Sequence, residues 1–238
     1  MHFNSEVLIL MYHSIDTPKL KKLKGIRVSP KNFEKQLKYL SKKGYKSYTL
    51  SEMIENKDSL AKKSVVLTFD DGYRDNFTNA FEILKKYGFK ATIFVIINRF
   101  HNDWSIHRKA KNAGIVDKID KLSDDEIRYM LKSGLIEIGA HTLNHKNFKK
   151  LSKEEKEKEM IESKKILEDK FGIECKTFSY PFGIFENGDE KLVEDAGFIG
   201  AITTENKKAD LKRDNLFLLP RVAVKDSYLK FIWKMRKL

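Results

Sequence analysis

Two carboxylates stand side by side at Asp70-Asp71, with Gly72 immediately after them. Adjacent acids repel, and the pKa of one rises unless a cation or hydrogen-bond donors intervene. A divalent metal resolves the conflict, because one carboxylate binds it while the other stays free as a base. A second cluster lies in His141-Thr142-Leu143-Asn144-His145, where two imidazoles occupy positions i and i+4. On a helix that spacing presents both from one face, one turn apart, as two ligands of one metal. With Asp71 as a third ligand the set becomes two histidines and a carboxylate. Such a site leaves positions open for water and substrate and is catalytic rather than structural. Taken singly, Asp70-Asp71-Gly72 is equally a solvated turn, and the two histidines are equally a surface pair.

Both clusters follow short apolar runs. Val65-Val66-Leu67 leads through Thr68-Phe69 into the two acids and has the look of a strand buried on both faces. Residues 136–140 form a second such run, ending at His141, and residues 7–12 a third, ending at His13. Further strands are expected at 91–97, at 177–180 before Pro181-Phe182-Gly183, at 199–203 and at 216–222. Helices are expected between them. One starts at Ser29-Pro30, a capping serine and then proline at the first helical position, with Phe33, Leu37 and Leu40 at helical spacing. Others span 75–87, follow the cap Ser123, and cover 152–171, 189–196 and 228–237. In the 152–171 helix Met160, Ile161 and Leu167 mark the apolar face, and the charges read as a solvated face. Residues 101–116, with His101, Trp104 and His107, read as a loop. The alternation implies an α/β fold of parallel strands with crossover helices. A closed or nearly closed β/α barrel is favoured over an open sheet, and no linker divides residues 1–238, so one domain is expected.

Composition narrows the function classes. The 41% hydrophobic and 34% charged content is that of a globular chain. A lone Cys175 rules out an internal disulfide and reads as a core filler. The net charge is +13, from 47 Lys+Arg against 34 Asp+Glu. The lysines are scattered over many helices, without zinc-finger spacing or an arginine cluster for reading bases, so nucleic acid is excluded as the expected partner. The sign favours an anionic partner, a membrane surface or an acidic glycan. No basic leader or ~20-residue apolar span is visible, which gives a cytoplasmic or peripheral-membrane expectation. Ser227 to Leu238 interleaves Leu229, Phe231, Ile232, Trp233 and Met235 with four cations. A basic amphipathic helix of this kind either closes a barrel with its apolar face or lies on an anionic membrane.

The motifs Thr68-Phe-Asp-Asp-Gly72, His141-Thr-Leu-Asn-His145 and Ser179-Tyr-Pro-Phe-Gly183 resemble those of the polysaccharide deacetylases with the NodB homology domain, carbohydrate esterase family 4. Segments 10–15 (LMYHSI), 90–95 (KATIFV) and 219–224 (LPRVAV) are similar to family segments too, and the motifs come in family order. The resemblance implies a single distorted (β/α)7 barrel. It implies Asp71, His141 and His145 as metal ligands, Asp70 as general base, and Tyr180 and Pro181 beside the substrate, with the Tyr180 backbone N–H holding an oxyanion. It implies an N-acetylated glycan or amino sugar of the N-acetylglucosamine type as substrate. The metal is most simply Zn2+, although Co2+, Ni2+ or Fe2+ fit the same donors.

The sequence departs from the commonest pattern in two places. Many members supply an acid histidine near the C-terminus, yet no histidine follows His145. The remaining candidates are His2, His13, His101 and His107. His13 is preferred because it ends a strand at the same edge as the metal cluster, which resembles the poly-N-acetylglucosamine deacetylase branch. Nor does any arginine precede the Tyr-Pro motif, where Lys176-Thr177-Phe178-Ser179 stands. Arg221 is the candidate to pair with Asp70, or else makes a surface salt bridge. The family's Asp-Trp segment is not recognisable after that motif. Two other readings share the motifs: a deacylase of a lipid-linked amino sugar or another small amide, and a non-catalytic glycan-binding module that kept the metal site.

Overall fold

The computed structural model describes residues 5–17, 25–100, 102 and 119–237. His2, His101, Trp104 and His107 lie outside the described residues. The core is a strongly curled, mostly parallel sheet. Its strands are β1 (Glu6–Tyr12), β2 (Lys46–Tyr48), β3 (Ser64–Phe69), β4 (Ala91–Val95), β5 (Ile136–Ala140), β6 (Thr177–Ser179), β7 (Gly200–Ile202), β8 (Ala209–Asp210) and β9 (Val222–Ala223). They run in the order β7-β6-β5-β4-β3-β1-β8, with β2 beside β3 and β9 beside β1. Only β8 pairs antiparallel, on β1. The two ends of the curl meet along residues 216–224. Leu219 bridges to Ile202, and Val222 pairs with Leu10. This is the distorted barrel of the expectation, with a thin seam: the strand expected at 216–222 is reduced to the two residues of β9.

Period-two alternation sorts the side chains of each strand. Val7, Ile9, Val66, Phe94, Ile202 and Leu219 point inward and pack with Leu50, Met53 and Ile54 of the helix Leu50–Glu55. Leu8, Leu10, Val65, Leu67, Ile93, Ile138 and Phe178 point outward against Phe33, Phe81, Ile127 and Met160 of the surrounding helices. Each such buried side chain contributes roughly 1.5–3 kcal/mol of transfer free energy. Continuing the inward parity along the strands brings His13, Asp70, His141, Ser179 and Arg221 to one mouth of the barrel.

Some elements differ from expectation. Ser29 does not cap its own helix; its N–H and hydroxyl both donate to Asp226, at 3.0 and 2.7 Å. The helix expected over 75–87 begins as a π-helix, Asn76–Phe81, before continuing as Glu82–Tyr87. In the helix Lys153–Phe171, Ile161 is half exposed, while Lys156, Glu159 and Ser163 are buried. Lys156 is held by Glu186 and Asp189 at 2.7 and 2.9 Å.

Inside the barrel the backbone of Gly139 is closely approached. A Cβ there would sit 2.6 Å from Phe94 Cε1 and 2.8 Å from Thr177 Oγ1. Gly139→Ala is therefore expected to cost about 1–3 kcal/mol through overpacking. The urea midpoint should drop at unchanged slope; an unaltered midpoint would mean that Phe94 gives way freely.

Candidate active site

β3 carries Thr68 and then Asp70 toward the barrel mouth, and Asp70 N–H donates to the Tyr12 carbonyl at 3.1 Å, extending the β1–β3 register by one step. The next residue of an ordinary strand would point outward. Asp71 instead takes a left-handed backbone, φ 72°, so that both carboxylates face the mouth. His141 follows β5 directly, and its Nδ1–H donates to the Ser179 carbonyl at 2.7 Å. A carbonyl only accepts, so the Nε2 of His141 is left as a lone-pair donor facing the site.

The segment 141–145 is not helical, contrary to the expectation from its spacing. Thr142 and His145 have φ 66° and 54°, and the two imidazoles meet because a tight non-helical loop turns back on itself, ring centroids 4.8 Å apart. Thr142 Oγ1 accepts from His145 N–H at 2.9 Å. The buried carboxylate of Glu159 holds the outside of the loop, accepting from the N–H groups of Leu143 and Asn144, each at 2.9 Å, and from Asn144 Nδ2 at 2.7 Å.

The ligand atoms of Asp71, His141 and His145 lie within 4.8 Å of one another, and all three residues are buried. Asp71 Oδ1 is 3.5 Å from His141 Nε2 and 3.6 Å from His145 Nε2. Ligands held at ~2.0–2.2 Å around a tetrahedral ion stand about 3.3–3.6 Å apart. In addition, a carboxylate oxygen facing the lone pair of His141 is repelled unless a cation lies between them. The donor set and its spacing therefore fit a divalent metal. Burial alone would raise the Asp71 pKa, but the imidazoles in their protonated form and Lys121, whose Nζ donates to the Asp71 carbonyl at 3.0 Å, hold it well below the usual carboxylate range.

Asp70 sits beside this cluster under different control. Arg221, fully buried, donates from its two terminal nitrogens to Asp70 Oδ1 and Oδ2, each at 2.8 Å. Its remaining donors reach the Thr203 carbonyl at 2.7 Å, Thr68 Oγ1 at 3.2 Å and Ser179 Oγ at 3.4 Å. Burial opposes ionisation of Asp70, and Arg221 with the nearby imidazoles overcomes it, leaving its pKa below the ordinary value near 3.8. His13 Nε2 is 3.8 Å from Asp70 Oδ2, with about a quarter of the side chain exposed.

Tyr180 does not stand where the resemblance put it. Its backbone N–H donates to the Ile202 carbonyl at 3.2 Å and is spent in the sheet. Pro181 has no N–H and opens the tight turn Pro181–Gly183. The side chain that reaches the metal cluster from this motif is Phe182, φ 59°, its ring 4.4 Å from that of His145. Ser179 was also overlooked: its carbonyl orients His141 and its hydroxyl lies 3.4 Å from Asp70 Oδ1. Its place next to the Tyr-Pro motif was the available signal. Glu159 had none, being one acid in a charge run.

Comparison with known proteins identifies the family. A family model described as polysaccharide deacetylase matches residues 57–200. The chain belongs to the polysaccharide deacetylase family. The Bacillus subtilis (strain 168) protein YxkH is 34% identical over 219 residues, covering 91% of this chain and 70% of that protein. A Staphylococcus aureus (strain MSSA476) poly-beta-1,6-N-acetyl-D-glucosamine N-deacetylase is 30% identical over 229 residues, covering 90% and 73% respectively. The fold matches that of the Streptococcus pyogenes deacetylase PplD, solved in complex with acetate, with a TM-score of 0.81 over 96% of this chain and 97% of that one, at 24% identity. The fold class and hydrolase family are those of the polysaccharide deacetylases, and the Asp71–His141–His145 cluster is consistent with a divalent-metal site typical of them.

Arg221→Met would leave Asp70 buried without its partner and is expected to cost roughly 3–5 kcal/mol. Because the folded pKa of Asp70 is depressed, its contribution is present above the ordinary value near 3.8 and is lost as pH falls through the lower folded value. The unfolding free-energy gap between wild type and variant should be widest near neutrality and narrow in acid. A gap that stays constant from pH 7 to 3 would remove Asp70 from the account.

Proposed function

We propose that this chain is a metal-dependent hydrolase that removes N-acetyl groups from an N-acetylated amino-sugar polymer, yielding acetate and a free amine. One observation carries the reading: a buried two-histidine, one-carboxylate cluster lies beside a second carboxylate clamped by Arg221. A structural metal site has no use for that second, separately ionised acid. Support for the polymer comes from the Staphylococcus aureus relatives, named for poly-β-1,6-N-acetylglucosamine. Asp71, His141 and His145 would hold the ion, with Zn2+ as the first choice for these donors. When bound, the metal supplies Lewis-acid polarisation of the acetamide carbonyl and lowers the pKa of water to roughly 7.

The chain's own groups then divide the proton work. Asp70 is the general base, and Arg221 fixes which way its oxygens face. His13 is the general acid, since an amide nitrogen leaves only if it is protonated as the C–N bond breaks. Burial, the largest influence, pushes the His13 pKa down, while the Asp70 and Asp71 carboxylates pull it up. The resting imidazole is then mostly neutral at neutral pH. The proton that Asp70 takes from the attacking water is one transfer from His13 Nε2, 3.8 Å away. Passed on to the departing nitrogen, that one proton serves both halves of the reaction.

A membrane-surface location has its own support. In the helix Tyr228–Lys237, Phe231 and Met235 are buried, but Leu229 and Trp233, one turn apart, are 78% and 60% exposed. Lys237 Nζ lies 3.9 Å from the Trp233 ring centre, and the helix contains no acid. An apolar pair ringed by cations matches an anionic bilayer surface. Among the described residues, no helix is long and apolar enough to cross a membrane.

Acetate release from β-1,6-linked N-acetylglucosamine oligomers by the metal-loaded protein is the direct test. Asp70→Asn should lower it on the order of 10²–10⁴-fold while bound metal, measured by atomic emission, is retained. Loss of metal in that variant would overturn the division between Asp70 and Asp71. No acetate from the wild type would overturn the substrate class. For the surface reading, sedimentation with anionic vesicles should weaken roughly tenfold or more in Leu229→Ser/Trp233→Ser. Equal binding to neutral vesicles would refute it.

A further inference from the structure

The residues just after the two catalytic-site acids make a set of contacts that the reaction chemistry leaves unused. Asp75 precedes the π-helix Asn76–Phe81 without capping it, and its carboxylate accepts instead from Ser14 Oγ at 2.5 Å and from Ile15 N–H at 2.8 Å. Asn76, almost fully buried, donates from Nδ2 to the His13 carbonyl at 2.8 Å and to Asp75 Oδ1 at 3.1 Å. Both acceptors need a donor, so this amide orientation is the one the network demands. One turn on, Asn79 Nδ2 donates to the Ile15 carbonyl at 2.8 Å. Three side chains of one short segment thus hold every residue from His13 to Ile15.

The geometry of the helix explains why three neighbours can do this. A π-turn is wider than an α-turn, and such insertions concentrate at functional sites. The held segment has further support beyond β1: Ile15 packs in the core, Ser14 N–H donates to the Ile26 carbonyl at 3.1 Å, and Val28 N–H donates to the Ser14 carbonyl at 3.0 Å. Ser14 and Ile15 are fully buried, whereas the His13 side chain, next in line, keeps about a quarter of its surface open. A buried, bracketed backbone therefore carries a partly open imidazole.

We propose that Asp75, Asn76 and Asn79 form a positioning bracket for His13. The bracket sets the imidazole's distance to Asp70 and to the departing nitrogen and touches neither substrate nor metal. The inference rests on the reading of His13 as general acid. One continuous stretch, Asp70 to Asn79, then supplies the base, a metal ligand and the fixture for the acid. In the step concerned the C–N bond breaks, its electron pair goes to nitrogen, and the proton on His13 Nε2 moves to that nitrogen. Misplacing a reacting group by about 1 Å can cost on the order of 10²-fold.

The test uses two substrates that differ in their need for an acid. An N-acetylglucosamine oligomer loses an amine and requires protonation. An aryl acetate loses a stable phenolate and does not, yet it uses the same metal cluster and Asp70. His13→Ala, Asn76→Ala and Ser14→Ala are compared on both, with bound metal and thermal midpoint measured alongside. The bracket predicts that all three lose about 10–100-fold in kcat on the amide, with KM little changed, and at most about threefold on the ester. If His13→Ala shows that selectivity and the other two do not, or if they fall equally on both substrates, the bracket is wrong and the acid stands. If His13→Ala is itself unselective, the acid reading falls first. Should Asn76→Ala fail to fold, Ser14→Ala, which deletes one hydroxyl facing Asp75, carries the decision.

Discussion

The fully buried guanidinium of Arg221 is the constraint around which the rest of the mouth is arranged. Moving an arginine and an aspartate out of water costs several kcal/mol per ion, and only near-complete hydrogen bonding offsets it. Here all five N–H groups have acceptors, drawn from Asp70, Thr68, Ser179 and the Thr203 carbonyl. Those acceptors sit on and just past β3, on β6 and just past β7, while Arg221 itself precedes β9. The curl of the sheet must close for the set to exist at all. An interaction that would be a poor source of stability in isolation thus doubles as a gauge of barrel geometry. Its consequence is a carboxylate, Asp70, whose charge and direction are both fixed.

Two devices of different cost assemble the site. Strand alternation delivers His13, Asp70, His141, Ser179 and Arg221 to one layer with no unusual backbone. Left-handed corners do the remainder. Among the described residues, the non-glycine positions with positive φ are Asp71, Thr142, His145 and Phe182, and every one is a metal-cluster residue or adjoins one. Such conformations cost of order 1–3 kcal/mol each and persist only where the surroundings over-determine them. Glu159 is part of that over-determination, satisfying three donors of the histidine loop from a neighbouring helix. The strain buys a second inward carboxylate immediately after the first, which a regular strand cannot provide.

That division also explains what could be read from the sequence. The apolar runs and the residues ending them foretold the strands, the barrel and the shared edge of Asp70, His13 and His141, because alternation is a local rule. The loop Thr142–His145 defeated the same logic: the i, i+4 spacing suits a helix, yet a non-helical turn with two left-handed residues brings the imidazoles together just as closely. The Tyr180 N–H looked available in one dimension, but pairing with β7 depends on a strand twenty residues away. In the helix Lys153–Phe171 the buried Lys156 and Glu159 are indistinguishable by type from the solvated charges around them. Their burial is set by Asp189, Glu186 and the histidine loop, all distant in the chain. The strand expected at 216–222 shrinks to Val222–Ala223 for a related reason, since Leu216, Leu219 and Arg221 bond to Ala201, Thr203 and Glu205 across the curl rather than within one regular ladder.

The two departures from the commonest family pattern have one geometric origin. β3 has β1 as a direct neighbour, and β9 lies on the far side of β1, so the first and last strands both converge on Asp70. A closed sheet has no first or last position: what matters is which strand ends lie within reach of Asp70. From β1 an imidazole reaches Asp70 Oδ2 at 3.8 Å, and from the approach to β9 a guanidinium reaches both oxygens at 2.8 Å. Adjacent strand ends thus bring an imidazole and a guanidinium to Asp70 with no histidine near the C-terminus and no arginine ahead of the Tyr-Pro motif. Both contacts depend on the seam that holds β9 against β1, which ties the geometry around Asp70 to a strand of two residues.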